Sequence, residues 1–276
     1  MTNRAATRAR EAATLLFVPG DRPERFAKAA AAGAGLVVLD LEDAVAPDRK
    51  DYAREQVGAW LEQHPECAVR VNAAGTPWHD EDLAVLRQRR CTVLLPKADP
   101  ASTRTAAGQL GVLPVLVALV ETARGVLDAR ETAAVPNVQR LAFGSFDLAA
   151  ELGADPADRD ALAAARGALV LASAAGGLPG PIDGVTADLH NELLLTDEVQ
   201  YARRLGFTGK LCVHPKQVPV AAAALRPTRE ETRWARSVLD AAGDGGAVAA
   251  GGQMIDKPVL ERAQRILRQA REGIGR

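Results

Sequence analysis

LPVLVALVE, residues 113–121, is an unbroken apolar run that ends on a carboxylate. It is rich in Val and Leu and does not alternate with polar residues, so it reads as a parallel strand buried on both faces. RLAFGSFD, residues 140–147, repeats the pattern and also closes on an acid, Asp147. Upstream lie Thr14–Gly20, Gly35–Asp43, Ala68–Asn72 and Thr92–Lys97, and downstream lie Leu178–Val185 and Lys210–His214. The seventh run, Leu178–Val185, is the weakest because it carries two prolines. Helical patterns fill the intervals: Arg22–Ala32, opened by Pro23 and stopped by Gly33, then Asp51–Gln63, Ala157–Gly176 and Asp188–Leu205. In Asp51–Gln63 the stripe is Tyr52, Gln56, Ala59 and Trp60. Eight strand–helix units between residues 14 and 214 predict an α/β (β/α)8 TIM barrel, with a doubly wound open sheet as the alternative.

Beyond the eighth run, Lys216–Leu225, Glu230–Ala242 and Pro258–Arg271 read as helices. Gly243–Gly246 reads as a flexible connector and Ala247–Ile255 as a short extended piece. The chain therefore divides into a loose N-terminal segment, 1–13, a barrel, 14–226, and a C-terminal helical extension, 227–276. Neither an internal repeat nor a second core is expected.

The 276 residues suit one large domain, and 47% apolar with 25% charged residues is globular. Thirty-four Lys+Arg against 35 Asp+Glu give a net charge of -1, which supplies no general attraction for nucleic acid or an anionic membrane. Cys67, Cys91 and Cys212 form no CxxC pair; they read as buried small hydrophobes in a reducing cytoplasm. Met1–Ala13 carries Arg4, Arg8 and Arg10 without a following apolar region, so no secretory signal is expected, and no run is long enough for a membrane span.

The polar residues at the strand ends carry the functional signal. In chain order they are Asp21, Asp40, Glu42, Asp43, Asn72, Lys97, Glu121, Asp147, Asp183 and His214, and Arg70 lies inside the third strand. Barrel enzymes build their sites at this face from the βα loops. Helix caps account for Asp21 and part of the Asp40–Asp43 group. They do not account for Arg70, Lys97 or Glu121, because a charge in a buried strand requires a partner or a ligand. Glu121 and Asp147 end neighbouring strands. As a pair of oxygen donors they suit Mg2+ or Mn2+, or else each pairs with a barrel cation. Arg70 suits a bidentate grip on a substrate carboxylate, or else an internal ion pair with these same acids. His64, His79 and His190 carry no functional signal, and His214 reads as bonding its own loop. Ser145 lacks the GxSxG frame of a hydrolase.

Eight segments, in order, resemble the citrate lyase β-subunit-like family within the malyl-CoA and HMG-CoA-type lyase group. They are LFVPGDRPERFAKA (16–29), VVLDLEDAV (37–45), VRVNAAGT (69–76), LLPKAD (94–99), ALVETARG (118–125), FGSFDLAAELG (143–153), GFTGKLCVHPKQV (206–218) and GQMIDKPVLERA (252–263). The resemblance implies a Mg2+-dependent barrel that makes or breaks a C–C bond between an acyl thioester and a 2-oxo acid. It implies Glu121 and Asp147 as metal ligands and Arg70 as the carboxylate-binding residue. Phe17, Arg22 and Lys28 match positions that contact CoA, and Glu42 and Asp43 match acids near the metal. Asp256 matches an acid that reaches the site of a neighbouring subunit in a homotrimer, on which the C-terminal extension packs. The chain ends soon after that segment, so the thioester carrier is CoA or, as in a citrate lyase complex, an acyl carrier protein. A non-catalytic barrel is the remaining alternative; intact Arg70, Glu121 and Asp147 speak against it.

Overall fold

The computed structural model describes residues 4–87, 89–242, 248–250 and 253–272. The chain folds as two compact units, 1–222 and 223–276. The first is a closed parallel barrel of β1 (Thr14–Pro19), β2 (Leu36–Asp40), β3 (Ala68–Arg70), β4 (Thr92–Leu95), β5 (Val115–Val120), β6 (Val138–Phe143), β7 (Ile182–Asp183) and β8 (Gly209–Cys212). Each strand pairs with the next, and β1 closes the ring on β8 through Thr14↔Lys210 and Leu15↔Leu211. The open-sheet alternative is thereby excluded. The helices of this unit are α1 (Arg4–Glu11), α2 (Phe26–Ala30), α3 (Lys50–Leu61), α4 (His79–Leu86), α5 (Pro100–Leu110), α6 (Ala123–Leu127), α7 (Ala129–Ala133), α8 (Ser145–Leu152), α9 (Ala163–Ala175), α10 (Glu192–Leu205) and α11 (Gln217–Ala224), the last running into the second unit. No described helix is long and apolar enough to cross a membrane.

Strand phase decides what fills the barrel. Leu15, Leu36, Val38, Ala68, Val115, Val117, Leu119, Ala142, Ile182 and Leu211 form one buried cluster, and along each strand they recur at every second residue. The same phase continued toward the C-terminal ends brings Phe17, Asp40, Arg70 and Glu121 to the mouth. At the other end the cluster takes in Ala5, Ala9 and Ala12. The segment expected to be loose is therefore helix α1, its small residues buried against the barrel. Three alanines spaced for one helical face supply that contact, and the arginines of the same segment had masked it. Arg140, fully buried near the start of β6, locks the closure. It donates from Nε to the Gly180 carbonyl (2.9 Å), from NH1 to the Ala12 carbonyl (2.6 Å) and from NH2 to Thr208 Oγ1 (2.8 Å).

Other boundaries move for local reasons. β7 shrinks to Ile182–Asp183 because Pro179 and Pro181 offer no N–H to a ladder. The first expected helix begins as a 3-10 turn at Pro23–Arg25. The buried face of α3 is Ala53, Arg54, Val57, Gly58 and Leu61, not the stripe containing Tyr52, which is exposed. Arg54 belongs on that face because buried Asp82 accepts from its Nε at 2.8 Å. All three cysteines are free and buried.

The second unit holds α12 (Arg229–Ala242), an antiparallel pair of β9 (Val248–Ala250) and β10 (Gln253–Ile255), and α13 (Lys257–Glu272). Contrary to expectation it has a core of its own, formed by Ala235, Val238, Ala242, Ile255, Ala263 and Ile266. Two amphipathic helices bury each other's apolar stripes there, and Arg262 lies 4.6 Å over the Trp234 ring. The expected connector Gly243–Gly246 lies outside the described residues.

Candidate active site

Glu121 directly follows β5, where its phase points it into the barrel mouth, and it is 3% exposed. Two backbone features hold its side chain. Lys97, just past β4, adopts φ 49°, a conformation that costs a lysine roughly 1 kcal/mol. This turn aims the Lys97 N–H at Glu121 Oε1, 2.8 Å away. On the other side Gly144 follows β6, and a Cβ there would lie 2.4 Å from Glu121 Cβ and 2.4 Å from its Oε2. Only glycine leaves the carboxylate room. Oε2 receives no hydrogen bond among the described residues. Burial first, and then the charge of Asp147, push the Glu121 carboxyl up to about 7.

Asp147 does not end a strand, as the sequence suggested. It sits exposed in the first turn of α8, where a carboxylate complements the helix dipole. It forms neither a hydrogen bond nor an ion pair with the described residues, and it raises the proton affinity of Glu121. Two carboxylates that repel each other, each with an unpartnered oxygen, suit a hard cation completed by water and ligand. No group of three or more His, Cys, Asp or Glu side chains that could hold a metal ion occurs among the described residues.

Across the mouth, the guanidinium of Arg70 is already engaged. β2 and β3 place Asp40 and Arg70 directly opposite each other. Arg70 Nε donates to Asp40 Oδ1 at 2.7 Å and NH2 to Oδ2 at 2.6 Å. NH1 lies 3.0 Å from Glu42 Oε2 and donates to Asp43 Oδ2 at 3.2 Å. Arg70 is thus in an internal ion pair, but with Asp40, Glu42 and Asp43 and not with Glu121 or Asp147, the acids the sequence reading named. Phe17 supports the group from below, its ring 4.9 Å from Arg70 Cζ. Burial opposes the arginine's charge, but Asp40, Glu42 and Asp43 outweigh it and hold the group protonated.

Glu42 is buried, and its Oε2, although near Arg70 NH1, makes no hydrogen bond. Burial pushes its carboxyl up to about 8 against the pull of Arg70, with Asp43, Glu121 and Asp40 adding to the rise. Lys50 fixes the loop beneath, donating to the carbonyls of Leu41 (2.7 Å) and Glu42 (2.8 Å). Asp43 is two-thirds exposed.

Arg22 and Lys28 are exposed, on the turn and helix after β1. Asp256 caps α13 in its own chain, its Oδ1 accepting from Val259 N at 3.2 Å. His214 bonds its loop through the Lys216 N–H, as expected. Two residues the sequence left without a role have defined buried partners. Asp40 organises Arg70. Buried His79 contacts the Asn72 carbonyl through Nδ1 (2.7 Å), while Asp82 holds the Asn72 amide (2.7 Å). An Asp in phase with the barrel interior was the available signal for Asp40; His79 had none.

The HpcH/HpaI aldolase/citrate lyase family model matches residues 13–215, and a model of C–C bond lyases of the TIM-barrel fold matches residues 164–272. A citrate lyase subunit beta-like protein of Mycobacterium tuberculosis is 42% identical over 93% of this chain and 95% of its own length. A (3S)-malyl-CoA thioesterase of Cereibacter sphaeroides is 34% identical over 90% and 89%. The crystal structure of M. tuberculosis CitE in complex with magnesium, acetoacetate and coenzyme A matches with a TM-score of 0.85 at 40% identity, over 95% of this chain and 99% of that one. With one family model spanning the whole barrel and relatives aligned over nearly their full length, the chain belongs to the HpcH/HpaI aldolase/citrate lyase family.

Proposed function

We propose that the protein is a Mg2+-dependent carbon–carbon lyase that cleaves a β-hydroxyacyl-CoA of the malyl, citramalyl or HMG type to an acyl-CoA and an oxo acid, which is a 2-oxo acid for the malyl and citramalyl esters. The observation that carries this is the mouth itself: a carboxylate pair, Glu121 and Asp147, each with an unpartnered oxygen, facing a fixed cation, Arg70. Glu121 and Asp147 would hold Mg2+, which when bound supplies Lewis-acid polarisation of the substrate oxygens. Glu42 and Asp43 lie beside that site and order its waters. Arg70 binds the substrate carboxylate. Arg22 and Lys28 offer exposed cations to the CoA phosphates, and Phe17 borders the same end of the barrel. Loss of the hydroxyl proton breaks the Cα–Cβ bond and leaves a thioester enolate, which is protonated at carbon to release the acyl thioester.

Asp256 is the proton donor, supplied by a neighbouring chain in a homotrimer on which the C-terminal extension packs. Its cap uses Oδ1 and leaves Oδ2 for that role. Mixing inactive Asp256→Asn with inactive Glu121→Gln under subunit exchange tests the sharing: restored turnover supports it, and no restoration despite exchange removes it. The protein works in the cytoplasm, where its three thiols stay reduced.

A second reading is thioester hydrolysis, favoured by the 34% identity to a malyl-CoA thioesterase. A third is a citryl-thioester lyase subunit working on an acyl carrier protein, favoured by the citrate lyase beta-like relative. Malyl-, citramalyl-, HMG- and citryl-CoA with Mg2+ separate them. A lyase releases acetyl-CoA and an oxo acid (a 2-oxo acid from malyl-, citramalyl- and citryl-CoA, a 3-oxo acid from HMG-CoA), a thioesterase releases free CoA thiol, and a carrier-bound subunit leaves all four CoA esters intact.

A further inference from the structure

We propose that Asp40 is the positioning residue of the site: it holds one edge of the Arg70 guanidinium permanently, so that the opposite NH1–NH2 edge meets the substrate carboxylate. The inference rests on the lyase reading and adds which edge is used and what sets it.

Asp40 is the last residue of β2 and is 1% exposed. Its two oxygens accept four N–H groups: Arg70 Nε (2.7 Å) and Glu42 N (2.9 Å) on Oδ1, Arg70 NH2 (2.6 Å) and Ala44 N (3.2 Å) on Oδ2. A buried carboxylate so saturated has little capacity left to bind a cation. Its work is geometric. One carboxylate fixes the arginine on β3 and also folds the loop that carries Glu42 and Asp43. The paired register of Asp40 and Arg70 and the Phe17 ring leave the guanidinium a single orientation.

The two guanidinium edges differ in how readily they can be vacated. The Nε–NH2 edge is buried in a bidentate pair, and breaking it would strand a buried charge without a partner. The NH1 side faces Asp43, which is two-thirds exposed, and Glu42 Oε2, which lacks hydrogen-bond geometry. An entering carboxylate therefore displaces Asp43 and leaves Asp40 in place. This also explains how Arg70 is both internally paired and able to bind substrate.

The test is a double-mutant cycle read by binding. Asp40→Asn, Arg70→Lys and the double variant are titrated with pyruvate and, separately, with acetyl-CoA, both with Mg2+. Asp40→Asn should weaken pyruvate binding about ten-fold or more and acetyl-CoA binding less than about two-fold, and in the Arg70→Lys background it should add less than about two-fold. Equal pyruvate losses in both backgrounds, or equal losses for the two ligands, would overturn the proposal. Should Asp40→Asn fail to fold, the wild-type protein decides the matter. The Arg70 Nε–H resonance, assigned by its absence in Arg70→Lys, should stay protected from solvent exchange before and after pyruvate is added. Loss of protection on adding pyruvate would mean that the substrate takes the Asp40 edge. Wild-type protein that neither binds pyruvate nor cleaves malyl-CoA would sink the lyase reading, and this one with it. Binding by wild type with additive variants would sink only the role of Asp40.

Discussion

Adding one methyl group at position 144 should disable the site. Gly144 abuts Glu121 so closely that an alanine Cβ would lie 2.4 Å from Glu121 Cβ and Oε2, where ordinary contact begins at 3.4 Å. The side chain must therefore retreat by about 1 Å. Overpacking of this kind costs about 1–3 kcal/mol. Retreat also strains the 2.8 Å bond from Lys97 N to Glu121 Oε1. A hydrogen bond to a charged acceptor is worth about 1.5–3 kcal/mol. If both act, Gly144→Ala loses roughly 2.5–6 kcal/mol, which for this size of domain lowers Tm by about 5–24 °C. Metal ligation tolerates only about 0.2 Å of error, so Mg2+ affinity should fall at least about ten-fold. Gly167→Ala is the control. It lies in α9 with nothing within 4 Å of the added Cβ and should be neutral or stabilising by up to about 1 kcal/mol. Differential scanning calorimetry and Mg2+ titration of both variants read the result. Wild-type Tm and Mg2+ affinity in Gly144→Ala would refute the claim that this close approach holds Glu121.

Glu121→Gln and Asp147→Asn should each abolish Mg2+-dependent cleavage of the β-hydroxyacyl-CoA while Tm holds or rises, because each removes a repelling charge without changing shape; undiminished turnover in either would remove it from the metal pair. Glu42 has a folded pKa raised to about 8 by burial, so its stabilising contribution is complete below its ordinary value of 4.5 and is lost as pH rises through 8. Glu121, raised to about 7, acts in the same direction. Without added metal, the free energy of unfolding should therefore decline between pH 4.5 and 8, and Glu42→Gln should flatten that decline; a profile unchanged by the substitution would contradict the burial of Glu42. Arg140→Met strips the Gly180 and Ala12 carbonyls and Thr208 of their donor and should destabilise the barrel by about 3 kcal/mol, measured by urea denaturation. Because Arg140 lies at the opposite end of the barrel from Glu121, turnover at low temperature should persist, and its loss would refute a purely closing role.

The barrel was legible in the sequence because parallel strands buried on both faces leave long Val/Leu runs that few other structures produce. Glu121 and Arg70 were legible for the same reason: a charge in phase with an apolar strand stands out. The α3 stripe failed because nothing near Arg54 in the sequence marks it as buried, whereas Asp82, distant in sequence, gives it a buried partner. The N-terminal helix failed similarly. Alanine is ambiguous between helix surface and core, and only the barrel floor decides the matter. The second core was invisible because short amphipathic helices look alike whether they pack on a barrel or on each other.

What sequence cannot express is how one side chain divides its bonds. Asp40 was one of several acids at a strand end, and helix capping was a sufficient account of it. Its distinction lies in the register that sets it opposite Arg70. Once that pair exists, the roles of its neighbours follow. An arginine held by its inner edge has one edge left, and the acids facing that edge are the ones a substrate displaces. Glu42 gains proton affinity chiefly because it is buried, and with Asp40 holding Arg70 in the bidentate pair its Oε2 is left near NH1 without a hydrogen bond. Lys97 shows the complementary limit. Its lysine side chain is evident in the sequence, yet its contact with Glu121 runs through a backbone amide turned by a positive φ. The mouth is thus specified as much by main-chain geometry at residues 97 and 144 as by the charged side chains, and substitutions at those two backbone positions separate positioning from chemistry.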